Sequence, residues 1–239
     1  MKVAIVTPTI GTKHLDQCLQ SVQKQTYENL THYVFLDGIE HHEKIHPLLD
    51  KNSGKRKIKT ISLEDNVGKG WCGHRVYAAC SFLVNADVIC YLDEDNWFEE
   101  NHVETLLKEL EKGNDWSFSL RKIVSKDGEF VCEDNCESLG LWPAFNQENL
   151  YHVDTSCFAV RKDVAVKIGH SWYDEKNKMS ADRTFFHCLK HYFQKYSCTK
   201  DYTLNYRLGG DQGVSQKFFE IGNEIYSKKY NSNFPWKNK

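Results

Sequence analysis

The sequence predicts an α/β protein with a mostly parallel central sheet flanked by helices, and three observations support this. Short β-branched runs alternate with amphipathic segments along the first half of the chain. Polar residues follow three of these runs, at Thr7-Pro8-Thr9, Asp37-Gly38 and Asp93-Glu94-Asp95. In the second half, an Asp-Gly turn between two β-like runs indicates a small antiparallel portion. Alternation of this kind is typical of an open sheet whose faces are covered by helices.

The first half of the chain supplies most of the predicted parallel sheet. Apolar residues recur at helical spacing in residues 13–25, where Leu15, Cys18, Leu19 and Val22 share one face. A polar segment with His41, His42 and His46 follows the second strand, and no helix or strand is predicted for it. The patterns predict strands at 2–6, 31–36, 58–63 and 88–92, and helices at 13–25, 70–84 and 102–110.

The second half is predicted to be more irregular. Two β-like runs, 117–125 and 129–132, flank Lys126-Asp127-Gly128 as a hairpin, and 140–149 is a loop. Strands are predicted at 155–160 and 197–204, helices at 163–168, 181–192 and 216–229, and a disordered tail beyond. We therefore expect one domain over 1–239, with a nucleotide-binding half (1–112), an acceptor-side half (113–215) and a C-terminal helix and tail (216–239).

Composition excludes several classes of protein. The 239 residues carry 31 basic and 33 acidic side chains, so no global positive field attracts nucleic acid. No apolar run approaches the ~20 residues that cross a bilayer, and residues 1–10 do not fit a signal peptide. The nine cysteines are scattered, and the close pair Cys132 and Cys136 lacks a second pair for zinc. A reducing cytoplasm fits this pattern best.

The acidic triplet at 93–95 is the strongest local signal. On an extended chain Asp93 and Asp95 point the same way and Glu94 points elsewhere. Two carboxylates with converging oxygens suit Mg²⁺ or Mn²⁺, whose shells are completed by water and a ligand's phosphates. The alternative is a solvated acidic loop after a strand. Ligands of open α/β sheets bind beyond the carboxyl ends of the strands, and the other two polar strand ends meet the triplet there.

These pieces together resemble family 2 glycosyltransferases with the GT-A fold. The resemblance covers roughly residues 2–208 and is carried by VAIVTPTIG, CLQSVQKQTYENLTHYVFLDG, DNVGKGWCGHR, ICYLDEDNWFEENHVETLL, VDTSCFAVRKDV, SADRTFFHCL and YRLGG. It implies that Asp93 contacts ribose or metal and that Asp95 ligates the metal. It also implies a nucleotide-sugar pocket lined by Thr7, Pro8, Thr9, Asp37, Asn66, Lys69, Arg75, Asp93 and Glu94.

Inverting members of that family carry an acid where this chain has Asp182. The resemblance therefore implies that Asp182 is the general base, with Asp154 as its rival. The alternative is an acid that complements the dipole at a helix N-terminus. Residues 206–213 are expected to form a flap over the donor. The expected contacts with the acceptor or the donor sugar come from Trp142, His152, Asp154, Thr155, Arg183, Tyr206 and Arg207.

The sequence thus predicts a metal-dependent, inverting glycosyltransferase that uses Mn²⁺ or Mg²⁺. The expected donor is a nucleotide-diphosphate sugar, and a UDP-sugar is favoured. The expected acceptor is a glycan or lipid-linked glycan of bacterial surface polysaccharide or lipooligosaccharide synthesis. The basic, aromatic tail is a candidate for peripheral contact with the inner face of the membrane. The alternatives are a nucleotidyltransferase, for which 7–13 is a poor phosphate loop, and a non-catalytic carbohydrate- or nucleotide-binding module.

Overall fold

The structure is a computed structural model that describes residues 1–209 and 214–237. Within these ranges, nine strands form one mixed sheet. They are β1 (Val3–Thr9), β2 (Leu30–Asp37), β3 (Lys57–Leu63), β4 (Val88–Tyr91), β5 (Trp97–Phe98), β6 (Trp116–Val124), β7 (Phe130–Glu133), β8 (Phe158–Arg161) and β9 (Tyr196–Arg207). Their order is β3-β2-β1-β4-β8-β6-β9-β5, and β7 pairs with β6 outside this path.

Helices cover the sheet and carry the connections between strands. They are α1 (Leu15–Gln23), α2 (His42–Lys51), α3 (His74–Leu83), α4 (His102–Glu111), α5 (Lys162–Ile168), α6 (Ala181–Tyr192) and α7 (Gln216–Lys229). No helix of the described residues is long and apolar enough to pass through a lipid bilayer. All nine cysteines lie in the described ranges, and each is a free thiol.

The parallel half of the sheet is as predicted. Strand β1 is buried along its whole length and pairs in parallel with β2 and β4. Strand β3 adds to β2 in the same direction and forms the exposed edge. Parallel strands present their carboxyl ends at one edge, so Thr9, Asp37 and the residues after Tyr91 meet there.

The antiparallel portion is also confirmed. Strand β8 is antiparallel to both β4 and β6, and the Asp127-Gly128 turn joins β6 to β7 as a hairpin. Strand β9 runs parallel to β6 and antiparallel to β5. The second half therefore extends the first sheet instead of forming a separate one.

Four elements differ from the predictions, and in one of them, the predicted strand 155–160, the first three residues form a 3₁₀ turn before β8. The His-rich segment forms α2, because Ile45 and Leu49 lie four residues apart and bury one face despite Pro47 inside the helix. Strand β5 has only two residues, too few for a period-2 pattern. Helix α3 begins at His74 because Gly73 before it has φ of 75°, a conformation outside the right-handed helix.

The predicted disordered tail is wrong for the described residues 230–237. Trp236 is fully buried, and its indole Nε1 donates to Asn135 Oδ1 at 2.8 Å. Its ring packs against Phe234, with centroids 5.0 Å apart, and against Trp142 at 5.5 Å. The aromatic residues that suggested a membrane contact instead pack onto the body of the protein.

Candidate active site

Asp37 ends β2 and holds the glycine-rich loop that follows β3. Its two carboxylate oxygens accept hydrogen bonds from the backbone N–H groups of Val67 and Gly68, each at 2.8 Å. A Cβ at Gly68 would lie 2.4 Å from Asp37 Oδ2, so only glycine allows this approach. Burial raises the pKa of Asp37. Each oxygen retains a second lone pair, so Asp37 can still accept a bond from a ligand.

The other candidates on this loop lie at the surface beside Asp37. Asn66 faces His41, with Nδ2 3.4 Å from Nε2. Lys69 and Arg75 are exposed; the Arg75 guanidinium donates to the Val67 carbonyl at 3.3 Å and lies over the Trp71 ring, 5.8 Å from its centroid. The structure therefore places two cations next to the carboxyl end of β2, as a diphosphate would require.

The three candidate residues at the end of β1 are all buried, and each contacts a different neighbour. The Thr7 hydroxyl is buried and lies 2.9 Å from His32 Nε2, inside the protein. The ring of Pro8 packs against Gly73, where a Cβ would lie 2.8 Å from Pro8 Cγ. The Thr9 hydroxyl donates to Glu94 at 2.7 Å. The β1 and β4 ends are thus joined directly.

Three side chains hold Asp93: Asn96, which the sequence suggested as a support for the acidic pair, and Tyr77 and Ser156, which it did not single out. The Tyr77 hydroxyl donates to its Oδ1 at 2.8 Å, and the Ser156 hydroxyl donates to its Oδ2 at 3.2 Å. The Asn96 amide lies 3.5 Å from Oδ2. Burial, together with the nearby charges of Asp95 and Asp154, raises the pKa of Asp93 well above its usual range. The carboxyl is fixed in place but short of positive charge.

Asp95 shares this shortage. Burial and the charge of Glu94 raise the pKa of Asp95 to about 6. Its backbone carbonyl accepts from Arg207 Nε at 3.0 Å, yet no side chain in the described ranges donates to its carboxylate. Two half-buried, under-compensated carboxylates fit a hard divalent cation. No three His, Cys, Asp or Glu side chains of residues 1–209 and 214–237 are grouped as metal ligands, so water and a ligand's oxygens would have to complete the shell.

Asp182 lies in the first turn of α6. Its Oδ1 accepts from the backbone N–H of Arg183 at 2.9 Å, and its Oδ2 is 3.7 Å from His152 Nε2. Burial and the charge of Asp154 raise the pKa of Asp182 to about 7, which Arg183 opposes. Burial lowers the pKa of His152, so this imidazole is neutral and can donate one N–H toward the acid.

Asp154, the rival base, is part of a buried ion cluster. Its Oδ2 accepts from Arg121 at 2.7 Å, and its Oδ1 accepts from the Ser156 N–H at 2.9 Å. Arg121 also binds Asp134 and Glu137, and its guanidinium stacks 4.2 Å from the Tyr206 ring centroid. Both oxygens of the Asp154 carboxylate thus already accept hydrogen bonds within the protein, whereas no group of the described residues donates to Asp182 Oδ2 within hydrogen-bond distance, so Asp182 is the freer of the two acids. Tyr206 is likewise committed to the cluster.

Arg121 is another residue that sequence reasoning missed. The available signal was the pair Arg121-Lys122 inside a strand of otherwise apolar and small residues, and Arg121, whose charge is 2% exposed, requires partners. Thr155 is buried in the 3₁₀ turn next to this cluster. Trp142 packs on Trp236, with ring centroids 5.5 Å apart, and belongs to the aromatic contacts of the C-terminal segment.

Arg207 joins three parts of the site. Its guanidinium donates to the carbonyls of Asp95 and Lys126, each at 3.0 Å, and to the Gln17 side chain. The guanidinium carbon also lies over the ring of Trp97, 4.8 Å from the ring centroid. Tyr206 and Arg207 are part of β9, and residues 210–213 of the expected flap lie outside the described residues.

The exposed thiol of Cys72 reports that the acids converge. Burial and the charges of Asp93, Asp182 and Asp95 raise the pKa of this thiol to about 11. Its Sγ lies 3.8 Å from Met179 Sδ, just before α6. Residues 152–156 link the carboxylates after β4 to the carboxyl at the start of α6 across one cleft, because Ser156 donates to Asp93 and His152 lies 3.7 Å from Asp182.

Comparison with known proteins gives the same result for fold and family. S. aureus TarS, residues 1–349 in complex with UDP-GlcNAc, superposes with a TM-score of 0.69 at 17% identity, over 97% of this chain and 67% of that one. The same TarS fragment with UDP gives a TM-score of 0.64 at 16% identity, covering 98% and 67% of the two chains. A longer TarS structure gives 0.65 at 16% identity, and this chain covers 40% of it. No curated protein matches this sequence.

These superpositions show that the chain has the GT-A fold of glycosyltransferases. The family model "Glycosyl transferase family 2" matches residues 4–169, more than half of the chain. The protein belongs to glycosyltransferase family 2, and its activity class is glycosyl transfer.

Proposed function

We propose that this protein transfers a sugar from a UDP-sugar to a hydroxyl group of a glycan, with inversion at the anomeric carbon. The observation that carries the proposal is that one short segment, residues 152–156, contacts the acids of both elements: the Ser156 hydroxyl donates to Asp93 at 3.2 Å, and His152 Nε2 lies 3.7 Å from Asp182. The TarS structures with UDP-GlcNAc and UDP support a uridine nucleotide as the donor group.

The donor is proposed to lie along the carboxyl ends of β1, β2 and β4. Asp37 would accept a hydrogen bond from the base or ribose, and Asn66 lies beside it. Lys69 and Arg75 are exposed cations within reach of the diphosphate. A carboxylate next to two cations suits a ligand with hydrogen-bond donors at one end and negative charge at the other.

Asp93 and Asp95 would hold the divalent cation, Mn²⁺ or Mg²⁺. Such a cation supplies positive charge that neutralises the departing diphosphate. Tyr77, Ser156 and Asn96 fix the Asp93 carboxylate for this purpose, and Arg207 fixes the Asp95 backbone.

The proposed reaction is a single displacement. The acceptor oxygen attacks the anomeric carbon opposite the diphosphate and forms the new C–O bond. The old bond to the diphosphate oxygen breaks, and its electron pair leaves with the nucleotide diphosphate. Ionised Asp182 accepts the proton of the acceptor hydroxyl, and neutral His152 holds the Asp182 carboxylate in position. One displacement inverts the configuration.

On the acceptor side, Arg183 and His152 border the base and are proposed to bind acceptor hydroxyls. We propose a glycan or lipid-linked glycan acceptor of bacterial surface polysaccharide synthesis, reached at the inner face of the membrane. The tail aromatics that are described pack inward, so any membrane contact would involve other surfaces.

The test is a thermal-shift screen of UDP-, GDP-, CMP- and dTDP-sugars, with and without Mn²⁺, followed by donor hydrolysis and acceptor transfer with the hits. We expect stabilisation by UDP-sugars that requires Mn²⁺, and product of inverted configuration by NMR. A screen in which no uridine nucleotide stabilises the protein would overturn the proposed donor. Retained configuration would overturn the displacement.

A further inference from the structure

Glu94, the middle acid of the triplet, does not face the cleft. Its Oε2 accepts from the Thr9 hydroxyl at 2.7 Å and from the Thr12 N–H at 2.9 Å. Its Oε1 accepts from the Ile10 N–H at 3.1 Å. Three donors thus converge on one carboxylate, and bonds of this charge-assisted kind are about twice as strong as neutral ones.

Thr9 is the last residue of β1, and Ile10 and Thr12 belong to the β1–α1 loop, residues 10–14, which starts at the carboxyl end of β1 beside Asp37. The Gly11 N–H in this loop donates to Thr9 Oγ1 at 2.9 Å, so it depends on Glu94 through Thr9. Gly11 has φ of 70°, and a Cβ there would lie 2.8 Å from Ile45 of α2. The shape of this loop is therefore set largely by the carboxylate of Glu94.

Glu94 also belongs to a tight turn, Asp93–Asn96, which we call the acidic turn. The Asn96 N–H donates to the Asp93 carbonyl at 3.1 Å and closes the turn. A second tie runs through Arg207, which contacts the Asp95 carbonyl and the Gln17 side chain of α1. The acidic turn and the β1–α1 loop are therefore one hydrogen-bonded unit.

Three adjacent carboxylates in one short turn repel each other. Positive charge on the cleft side, at Asp93 and Asp95, relieves that repulsion and fixes the turn. Fixing the turn fixes Glu94, and Glu94 holds the loop that borders the nucleoside. The reverse also holds, because coupling between two binding events is reciprocal.

We propose that Glu94 is a positioning residue that couples divalent-cation binding at Asp93 and Asp95 to nucleotide binding at the β1–α1 loop. This inference rests on the proposed function. It assigns Glu94 to neither ligand: its role is to transmit the effect of one to the other. The cation and UDP should consequently bind cooperatively, and the cooperativity should depend on Glu94.

The first test is a binding cycle. UDP affinity is measured by calorimetry with and without Mn²⁺, in wild type and in Glu94→Gln, which keeps the size but loses acceptor capacity. We expect Mn²⁺ to tighten UDP binding in wild type, and the ratio of the two affinities to fall about tenfold in Glu94→Gln, as the loss of charged hydrogen bonds predicts. The matched control is Glu100→Gln, which makes the same charge change on an exposed side chain and should leave the ratio unchanged.

The second test needs neither ligand nor activity. Hydrogen exchange of the ligand-free protein should show the amides of Ile10, Gly11 and Thr12 protected in wild type and exchanging about tenfold faster or more in Glu94→Gln. Amides of β2 should be unaffected, which separates loss of the loop contact from general unfolding. If Glu94→Gln fails to fold, Thr9→Val removes one of the three donors, and a smaller change of the same sign is expected.

The outcomes are distinct for the two proposals. If wild type binds no UDP under any condition, the proposed function fails. If wild type binds UDP with Mn²⁺ dependence and Glu94→Gln weakens binding by one factor with and without Mn²⁺, only the coupling is refuted. Unchanged exchange at Ile10 and Thr12 would also refute it.

Discussion

Asp182→Asn is the substitution that separates the two roles open to this residue. The asparagine keeps the size of the side chain and the bond from the Arg183 N–H to Oδ1, but it cannot take a proton. Loss of a general base lowers kcat by about 10²–10⁴. An acid that only complemented a helix dipole would contribute to stability and leave kcat unchanged.

The stability effect can be worked from the structure and has an unusual sign. Burial and Asp154 raise the pKa of Asp182 from 3.8 to about 7. Between these two pH values the native protein holds a proton that the unfolded chain has released, so stability falls as pH rises through this window and is level above it. A rise of about three pH units corresponds to about 4 kcal/mol as an upper bound.

The side chain is 18% exposed, and water therefore relieves part of this cost. We expect Asp182→Asn to be more stable than wild type by about 2 kcal/mol at pH 8, and to show no gain at pH 4. For a chain of this size the gain corresponds to a rise in Tm of roughly 4–8 °C.

The assays are kcat from pH 5.5 to 9 and thermal unfolding at pH 4 and 8. Wild-type kcat should rise with pH to a midpoint near 7 and then level off, because the base must be ionised. The control is Asp163→Asn, which removes an exposed acid from the first turn of α5 and should cost stability slightly, with kcat unchanged. Full transfer activity in Asp182→Asn, or a loss of stability like that of the control, would refute the base assignment.

Three further substitutions test the surrounding structure. Arg121→Met should destabilise the protein by about 3–5 kcal/mol in urea unfolding, because it leaves three buried carboxylates without their cation. An unchanged midpoint would contradict the role of Arg121 as the cation that stabilises this cluster. Trp236→Ala should lower the free energy of unfolding by about 3–5 kcal/mol, since its indole is fully buried and hydrogen-bonded. An unchanged free energy of unfolding would mean that the C-terminal segment is not packed on the protein. Gly222→Ala should lower Tm, because its Cβ would lie 2.6 Å from both Cys136 Sγ and the Phe145 ring, and a Tm at or above that of wild type would refute this packing.

Much of the sheet could be predicted because its signals are local. The buried run of β1 and the acids after β4 identify parallel strands and a shared edge without any tertiary information. Helix α2 was missed because only Ile45 and Leu49 of its ten residues are buried, and the histidines and Pro47 hide that pattern. Trp236 was misjudged because its lysine-rich neighbours dominate the local composition, while its partners Trp142 and Asn135 are far away in sequence.

The candidate site follows the same division. Asp93, Asp95 and Asp182 could be chosen from their positions at element ends. The state of each carboxyl depends on partners brought by other elements: Tyr77 and Ser156 for Asp93, and Asp154 for Asp182. Nor does any spacing rule predict that Arg121 pairs with Asp154, because their contact spans 33 positions and two loops.

The position of β9 has a consequence for synthesis of the chain. This strand fits between β6 and β5, and it is also the last of the described strands to be translated. While the ribosome makes the residues between β7 and β9, one long side of β6 has no backbone partner and its apolar side chains lack their neighbours. Unpaired strand edges of this kind can pair with other chains and cause aggregation. Nascent chains of this protein should therefore need a holding chaperone until β9 has emerged.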